Sequence, residues 1–438
     1  IAGLGLACVS AEAPSSAVPL GVTTALTTLG EVTAVPPPAA PGSGEPNLFA
    51  AADGRVFMSW LEPVGGNGGP PASTRHGRFA LRFAVLEGGS WSAPRTIAGS
   101  DAFFVNWADF PSLVALPGGG LAAHWLARSG QGSYAYDVKI SRSGDGGATW
   151  AAPVTPHRDG APTEHGFVSL VPEPDGGFTA VWLDGRNFAV VSSGKRERSS
   201  RRVEMTLRSA TFDAAGNQGP EHLLDARICD CCQTSAARVG DDLLVVYRDR
   251  SVQEVRDIWA VTRGPAGWEE PVRVADDSWK IPGCPVNGPA VAANGDTAAV
   301  AWFSLRQGRP EVKVTFTSDG GRSFSDAILV DAGEPERSTA GATSRPRVPL
   351  GRVDVEWIDG RTAVVSWLSA RGRDAEIRIL AVGLDGTRSG ASKVGETRSS
   401  RASGFPRMVR AGDRLVLAWT LPGHTSAIRT VTVPILAH

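Results

Sequence analysis

The sequence predicts an all-β, seven-bladed β-propeller with four antiparallel strands per blade, and three observations carry that expectation. First, an apolar strand ending in an aromatic residue recurs seven times in 438 residues: VFMSW, GLAAHW, FTAVW, LLVVY, AAVAW, AVVSW and LVLAW. The terminal aromatics are Trp60, Trp125, Trp182, Tyr247, Trp302, Trp367 and Trp419, at intervals of 65, 57, 65, 55, 65 and 52 residues. A period of this size in an all-β chain is that of propeller blades. Second, each aromatic is followed by a polar stretch and a third strand, and most of these strands alternate apolar with polar residues, the period of a half-buried strand. Third, the last unit stops after its third strand, while a Thr/Val-rich segment stands unpartnered before the first unit.

In chain order, residues 1–20 read as a secretory segment and the start of a tether. IAGLGLACVSAEAPSSA has a short apolar run ending at Ala7-Cys8, followed by small residues. It resembles a bacterial lipoprotein signal with Cys8 as the lipidated residue; the alternative is ordinary cleavage after Ala13. Residues 22–35 are expected to supply the outer strand of the last blade, which removes free sheet edges. Residues 36–46 form a Pro/Gly-rich connector. Residues 21–438 then make one propeller domain, because blades cannot bury their apolar faces alone. Third strands are expected at Ala80, Asp137, Val203, Asp257, Glu311, Glu376 and Ala427. Gly-rich turns and fourth strands such as PVRVA and AILVD complete the blades.

Composition agrees: 52 Gly and 31 Pro suit a turn-dense β protein, and 42% hydrophobic residues suffice for a sizeable core. The net charge of −1 and the lack of a basic stripe with interleaved aromatics argue against a nucleic-acid partner. Lys195–Arg202 is the one basic cluster, read as a solvated or anion-binding loop.

Two turns after third strands carry a sharper motif: Ser143-Gly-Asp145-Gly-Gly147-Ala-Thr149-Trp150 and Thr317-Ser-Asp319-Gly-Gly321-Arg-Ser323-Phe324. They resemble the Asp-box of sialidases and other bacterial-neuraminidase-repeat proteins. The Asp accepts backbone N–H bonds, Gly takes positive φ, and the aromatic packs beneath. The resemblance implies a propeller, with a six-bladed sialidase type as the alternative, and places the motif away from the family's active site. It does not extend to the catalytic signature. The first-blade stretch Glu45-Pro-Asn-Leu-Phe49 lacks the family's substrate-binding Arg. Tyr247 occupies a repeat position, and Tyr134 and Tyr136 fall in a second-blade loop, outside the part of the chain where the family's nucleophile stands. No useful sialoside hydrolysis is expected.

A site is expected on the rim where inter-blade loops meet the loops joining second and third strands. The first class supplies Trp107, Asp109, Glu164, His165, Cys229, Cys231, Cys232 and Cys284; the second supplies Arg128, Asp184, Arg186, Arg250, Arg306 and Arg371. Asp109, with Glu164 or Asp184, is the candidate acid pair for a glycosidase. Trp107 and the arginines are candidate ligand-binding groups, the guanidinium fork matching carboxylates and phosphates. The four cysteines come from equivalent positions of consecutive blades and should form one cluster. Disulfides are one reading, with Cys231–Cys232 as a vicinal ring and Cys229–Cys284 as one pairing. The other reading is a copper or zinc thiolate site with His165 as an extra ligand. These readings give an extracytoplasmic, lipid-anchored monomer. Its expected role is binding or scaffolding at the cell envelope, for a carbohydrate, a small anion or an envelope protein. A carbohydrate-active hydrolase and a metal-binding or redox protein are the alternatives.

Overall fold

The computed structural model describes residues 26–65, 74–75, 77–189, 204–333 and 346–436. The proposed signal, Cys8, residues 22–25 and the basic cluster lie outside the described residues. Seven antiparallel sheets form a ring, so the chain is a seven-bladed propeller. Blade 1 is built from Gly44–Ala50, Val56–Pro63, Phe79–Glu87 and Arg95–Ser100. Blade 2 has Ser112–Ala115, Leu121–Arg128 and Tyr136–Ser143; blade 3 has His165–Pro172, Phe178–Asp184, Met205–Phe212 and Gln218–Ile228. Blade 4 has Ser235–Val239, Asp242–Arg248, Ile258–Gly264 and the short Val272–Arg273. Blades 5 and 6 begin with Ala290–Asn294 and Val348–Trp357, and blade 7 runs from Arg407–Ala411 to Ala427–Leu436.

Closure follows the expected scheme. Thr28 and Leu29 pair with Leu436 and Ile435, and Thr33 and Ala34 with Thr432 and Val431. The N-terminal segment is therefore the outer strand of blade 7. Blade 2 departs from four full strands: its outer edge is a single bridge between Ile140 and Val154. Pro153 and Pro156 flank that bridge, and proline has no N–H to extend a ladder. The chain leaves the sheet there and rises to the rim as residues 155–164.

The seven repeat aromatics hold the ring together. Each packs between its own blade and the preceding one. Trp125 meets Phe57 and Leu81, Trp182 meets Tyr136 and Ile140, Tyr247 meets Val181 and Leu207, and Trp302 meets Leu244 and Val246. Trp367 meets Phe303 and Val314, Trp419 meets Leu368 and Ile379, and Trp60 closes the circle against Val416 and Ala418 of blade 7. All seven are buried, and removing such a ring costs about 3–5 kcal/mol. Buried indole N–H groups need acceptors. Trp60 donates to Glu62 (3.2 Å), Trp182 to Asp184 (2.9 Å), Trp302 to Asp277 (2.7 Å) and Trp367 to Asp331 (2.7 Å).

The starts of first and third strands share one face with the loops joining second and third strands. Those loops are long in blades 2 and 4 but shrink to the turns 307–308 and 372–373 in blades 5 and 6. The opposite face carries the Ser143–Trp150 and Thr317–Phe324 turns. Asp145 accepts from the Thr149 N–H (2.9 Å) and hydroxyl (2.6 Å); Asp319 accepts from the Ser323 N–H (3.0 Å) and hydroxyl (2.5 Å). The leading Ser143 and Thr317 hydroxyls accept from Gly147 (2.7 Å) and Gly321 (3.0 Å). These glycines have φ of 86° and 93°, and a Cβ there would reach within 2.6 Å of Phe83 and 2.4 Å of Leu244.

Candidate functional site

Asp109, three residues before the inner strand of blade 2, and Glu164, just before that of blade 3, meet over Tyr136, the first residue of blade 2's third strand. The Tyr136 hydroxyl lies 2.9 Å from Asp109 Oδ2 and 2.9 Å from Glu164 Oε1. A phenol has one proton to donate. The second contact is a hydrogen bond only when that carboxyl carries its own proton. Tyr136 is held by stacking on Phe104, with centroids 4.0 Å apart and planes 12° off parallel. The other oxygen of Asp109 accepts the Phe167 N–H at 2.7 Å. That bond needs Phe167 at φ 52°, a costly conformation for a bulky residue. It also needs Gly166, where a Cβ would sit 1.9 Å from Asp109 Oδ2.

Burial is the main electrostatic force here. It pushes Asp109 up to about 7 against the Phe167 and Tyr136 bonds. It pushes Glu164 up to about 8, with the charges of Asp109 and Asp230 acting the same way. Tyr136 is raised well above its ordinary value by burial and by both carboxylates, so it stays a phenol. Tyr136 and Asp109 are 1% and 2% exposed, and Glu164 alone of the three is partly exposed.

Beyond Glu164 stands Asp230, paired with Arg256 (3.3 Å) and Arg250 (3.7 Å). Arg256 also reaches Cys229 Sγ at 3.3 Å. The four cysteines do cluster, but their pairing differs from the vicinal scheme. Cys229 joins Cys232, and Cys231 joins Cys284, with Cα atoms 5.8 and 6.1 Å apart. The C-x-C-C loop turns enough for Cys229 and Cys232 to face each other, which frees Cys231 for the next blade. Both separations fall within ordinary disulfide geometry. With all four sulfurs paired, the copper or zinc thiolate set does not stand in this structure.

His165 is not beside the cysteines as a ligand. It stacks on His157, with rings 3.7 Å apart and 3° off parallel. Its Nε2 faces Asp159 at 3.3 Å and Asp184 at 3.6 Å. Asp184, a candidate acid, is fully buried as the acceptor for Trp182 and for two Arg186 bonds of 2.7 Å. It belongs to this second cluster and not to the Tyr136 group.

The candidate arginines are engaged separately, and no contact joins any two of them among the described residues. Arg128 lies over Phe104 (5.5 Å). Arg186 pairs with Asp184 and Glu221 (2.8 Å), and Arg250 with Glu254 (3.1 Å). Arg306 and Arg371 are exposed at the two-residue turns. Trp107 is stacked on Phe405 (6.0 Å) and capped by Arg352 (4.9 Å), with one edge open to solvent. Tyr134, at the tip of the same blade-2 loop as Tyr136, is 59% exposed.

The axial channel holds a cavity of about 490 Å³, walled in part by Asp109, Gln233, Asp354 and Arg407. Neither Tyr136 nor Glu164 is on that wall, so the polar group borders the channel mouth from outside. A larger space, about 890 Å³, opens among the hairpins of the opposite face, away from these groups. Sequence reasoning missed Tyr136, His157 and Asp159. The usable signal for Tyr136 was register: third-strand starts share a face with inner-strand starts, and Tyr136 pairs with Arg128 on the rim.

No family model matches the chain, and no curated protein matches it. Several solved structures are similar in outline. One is a protein of unknown function from Dyadobacter fermentans (13% identity, 94% of this chain and 99% of that one, TM-score 0.48). Another is a polysaccharide lyase, an ulvan lyase (12%, 78% and 79%, TM-score 0.45). A third is a sialidase of Trypanosoma rangeli (14%, 80% and 57%, TM-score 0.42). None of these likenesses carries a residue role or a substrate over to this chain.

Proposed function

We propose that this propeller acts on a glycan at its rim, by acid-assisted cleavage of a glycosidic bond. The observation that carries this reading is Tyr136 in contact with two carboxyls that burial raises far above the ordinary carboxylate range, Glu164 the further of the two. A strongly perturbed acid in a concave polar setting is a functional-site signal, and a proton donor working near pH 7 needs such a pKa. Glu164 is the member that solvent reaches, so it gives its proton to the leaving oxygen, while a water attacks the anomeric carbon and returns a proton to the Glu164 carboxylate. Tyr136 and Asp109 position it, and Asp230 supplies negative charge across from it. Tyr134 offers an exposed aromatic face for a sugar ring. Two 2.9 Å bonds to one phenol oxygen keep Asp109 and Glu164 closer than the ~6.5 Å minimum of an inverting pair. Asp109, sealed from solvent, is therefore a partner that positions Glu164 and not a second catalytic carboxyl.

The test is a panel of polysaccharides and aryl glycosides, including a sialoside, which is not expected to turn over. A substrate should be found whose turnover falls by about 10²–10⁴ in Glu164→Gln, the usual range for a lost general acid. Undiminished turnover in that variant would refute the assignment.

A second reading, a binding module at the cell envelope, is favoured by the sealing of Tyr136 and Asp109 from solvent. It predicts glycan binding without turnover, weakened in Tyr134→Ala. The two disulfides fit an oxidising compartment. An extracytoplasmic site is proposed on that ground, and a lipid on Cys8 on the resemblance of the surrounding sequence to a lipoprotein signal; mass spectrometry of the mature N-terminus tests the lipid.

A further inference from the structure

The two disulfides of the rim stand against each other, and they differ in access. Cys229 and Cys232 are 1% and 2% exposed. In the other bridge Cys284 is exposed and Cys231 half-buried. Cys229 Sγ lies 4.0 Å from Cys231 Sγ, although the two atoms belong to different bridges. The sulfurs of Cys229, Cys231 and Cys232 all fall within 4.8 Å of one another. This crowding follows from the C-x-C-C spacing, which brings three cysteines into one turn and sends Cys231 to the next blade.

Stability accounts for one of these bridges better than for the other. Cys231–Cys284 ties the loop before blade 4 to the loop before blade 5, across 53 residues. Cys229–Cys232 joins residues three apart, and the entropy removed by a cross-link shrinks with the loop it closes. What the inner bridge does supply is a second pair of sulfurs within reach of Cys231. A guanidinium stands over it. Arg256, itself 2% exposed, places Nη1 3.3 Å from Cys229 Sγ, and its Nε is buried without a hydrogen-bond partner among the described residues. Asp230 has a carboxylate oxygen within 4.8 Å of the Cys231 and Cys284 sulfurs. It is paired with Arg256 (3.3 Å) and Arg250 (3.7 Å), so it does not face a thiolate uncompensated.

We infer that the four cysteines form a thiol–disulfide exchange site for an external dithiol, with Cys284 as the entry and Cys231 as the shuttle to the buried bridge. A disulfide is opened by a thiolate that reaches one of its sulfurs, and Cys284 is the sulfur that solvent reaches. A thiolate of the dithiol attacks Cys284 Sγ. The Cys231–Cys284 bond breaks and Cys231 leaves as a thiolate. The dithiol's second thiolate then attacks its own bound sulfur and releases Cys284, so the dithiol departs as a cyclic disulfide. Its two electrons stay on Cys231 and Cys284. The Cys231 thiolate next attacks Cys229 Sγ, 4.0 Å away. A Cys229–Cys231 bond forms, the Cys229–Cys232 bond breaks, and Cys232 leaves as a thiolate and takes up a proton. This step consumes no reductant. Arg256 stabilises the negative charge shared by the three sulfurs while the bond passes. The inference does not depend on the glycan reading.

The full chain is treated with one equivalent of dithiothreitol, quenched with iodoacetamide and mapped by tandem mass spectrometry of its peptides, scoring the four rim cysteines. One label is expected on Cys284 and the other divided between Cys231 and Cys232. In Cys284→Ser, purified without reductant, the single rim thiol should likewise be divided between Cys231 and Cys232. In Cys231→Ser/Cys284→Ser the inner bridge has no shuttle, and Cys232 should label about tenfold more slowly than in the wild type, near-UV circular dichroism serving as the check on folding. Labels confined to Cys231 and Cys284 in the wild type overturn the proposal, as does a label confined to Cys231 in Cys284→Ser. Labelling of Cys229 and Cys232 ahead of Cys284, or equally fast labelling of Cys232 in the double variant, overturns it as well.

Discussion

The two faces of the propeller use carboxylates in opposite ways. On the turn face, Asp145 is solvent-exposed, and the Thr149 hydroxyl and N–H with the Ser143 hydroxyl hold it well below the usual carboxylate range. Asp319 is lowered to about 2 by the Ser323 and Thr317 bonds, against a raising effect of burial. On the rim face, burial drives Asp109 and Glu164 up to about 7 and 8. The turn carboxylates are satisfied within six residues of chain and fasten a local bend. The rim group of Asp109, Tyr136 and Glu164 gathers from three stretches of sequence, and its environment favours the neutral form of both carboxyls. The first arrangement is what a fold needs, and the second is what proton transfer needs.

The comparison can be broken at several points. The largest effect on stability is expected at the rim, which is tied together over long distances. Cys284→Ser opens a disulfide spanning 53 residues, worth up to roughly 4 kcal/mol by loop-closure entropy, and should lower the melting temperature by several degrees. A melting temperature unchanged in Cys284→Ser would show that the rim is held without the bridge.

A smaller effect, with a definite sign, concerns pH. Asp109 is raised from 3.8 to about 7. Its contribution is therefore fully present below about pH 4 and is lost as pH rises through 7. Glu164 and Glu356, raised to about 8 and about 7 mainly by burial, act in the same direction. Asp109→Asn should flatten the fall of melting temperature between pH 4 and 7. An unchanged slope would mean that Asp109 ionises freely in the folded protein.

The smallest effect is expected from Asp145→Asn. Its lowered pKa gives stability above about pH 4 that is lost as pH falls. The variant should melt slightly earlier at neutral pH, with the difference vanishing in acid, and should leave rim chemistry untouched. A change in turnover would mean that the two faces are coupled.

This contrast also explains what the sequence made legible. The ring of seven was readable because each blade repeats one local pattern, and the aromatic interval survives insertions in the loops. The closing strand was readable from the missing partner of the last blade. The rim positions of Asp109, Glu164 and the cysteines followed from strand order. Tyr136 was set aside because its place in the chain was compared with a family pattern, whereas its strand register puts it on the rim. The cysteine pairing was illegible because it depends on how one C-x-C-C loop turns. The gathering of His157, Asp159 and His165 was hidden because blade 2 gives up its outer strand, and nothing periodic marks the segment that replaces it.

The central claim is that the rim holds a carboxylic acid, not a carboxylate, at neutral pH. Its most direct test is an NMR titration of side-chain carboxyl carbons, with the Glu164 signal assigned by its absence in Glu164→Gln. A Glu164 midpoint near 8 is the predicted result. A midpoint in the ordinary glutamate range, around 4 to 5, would contradict it.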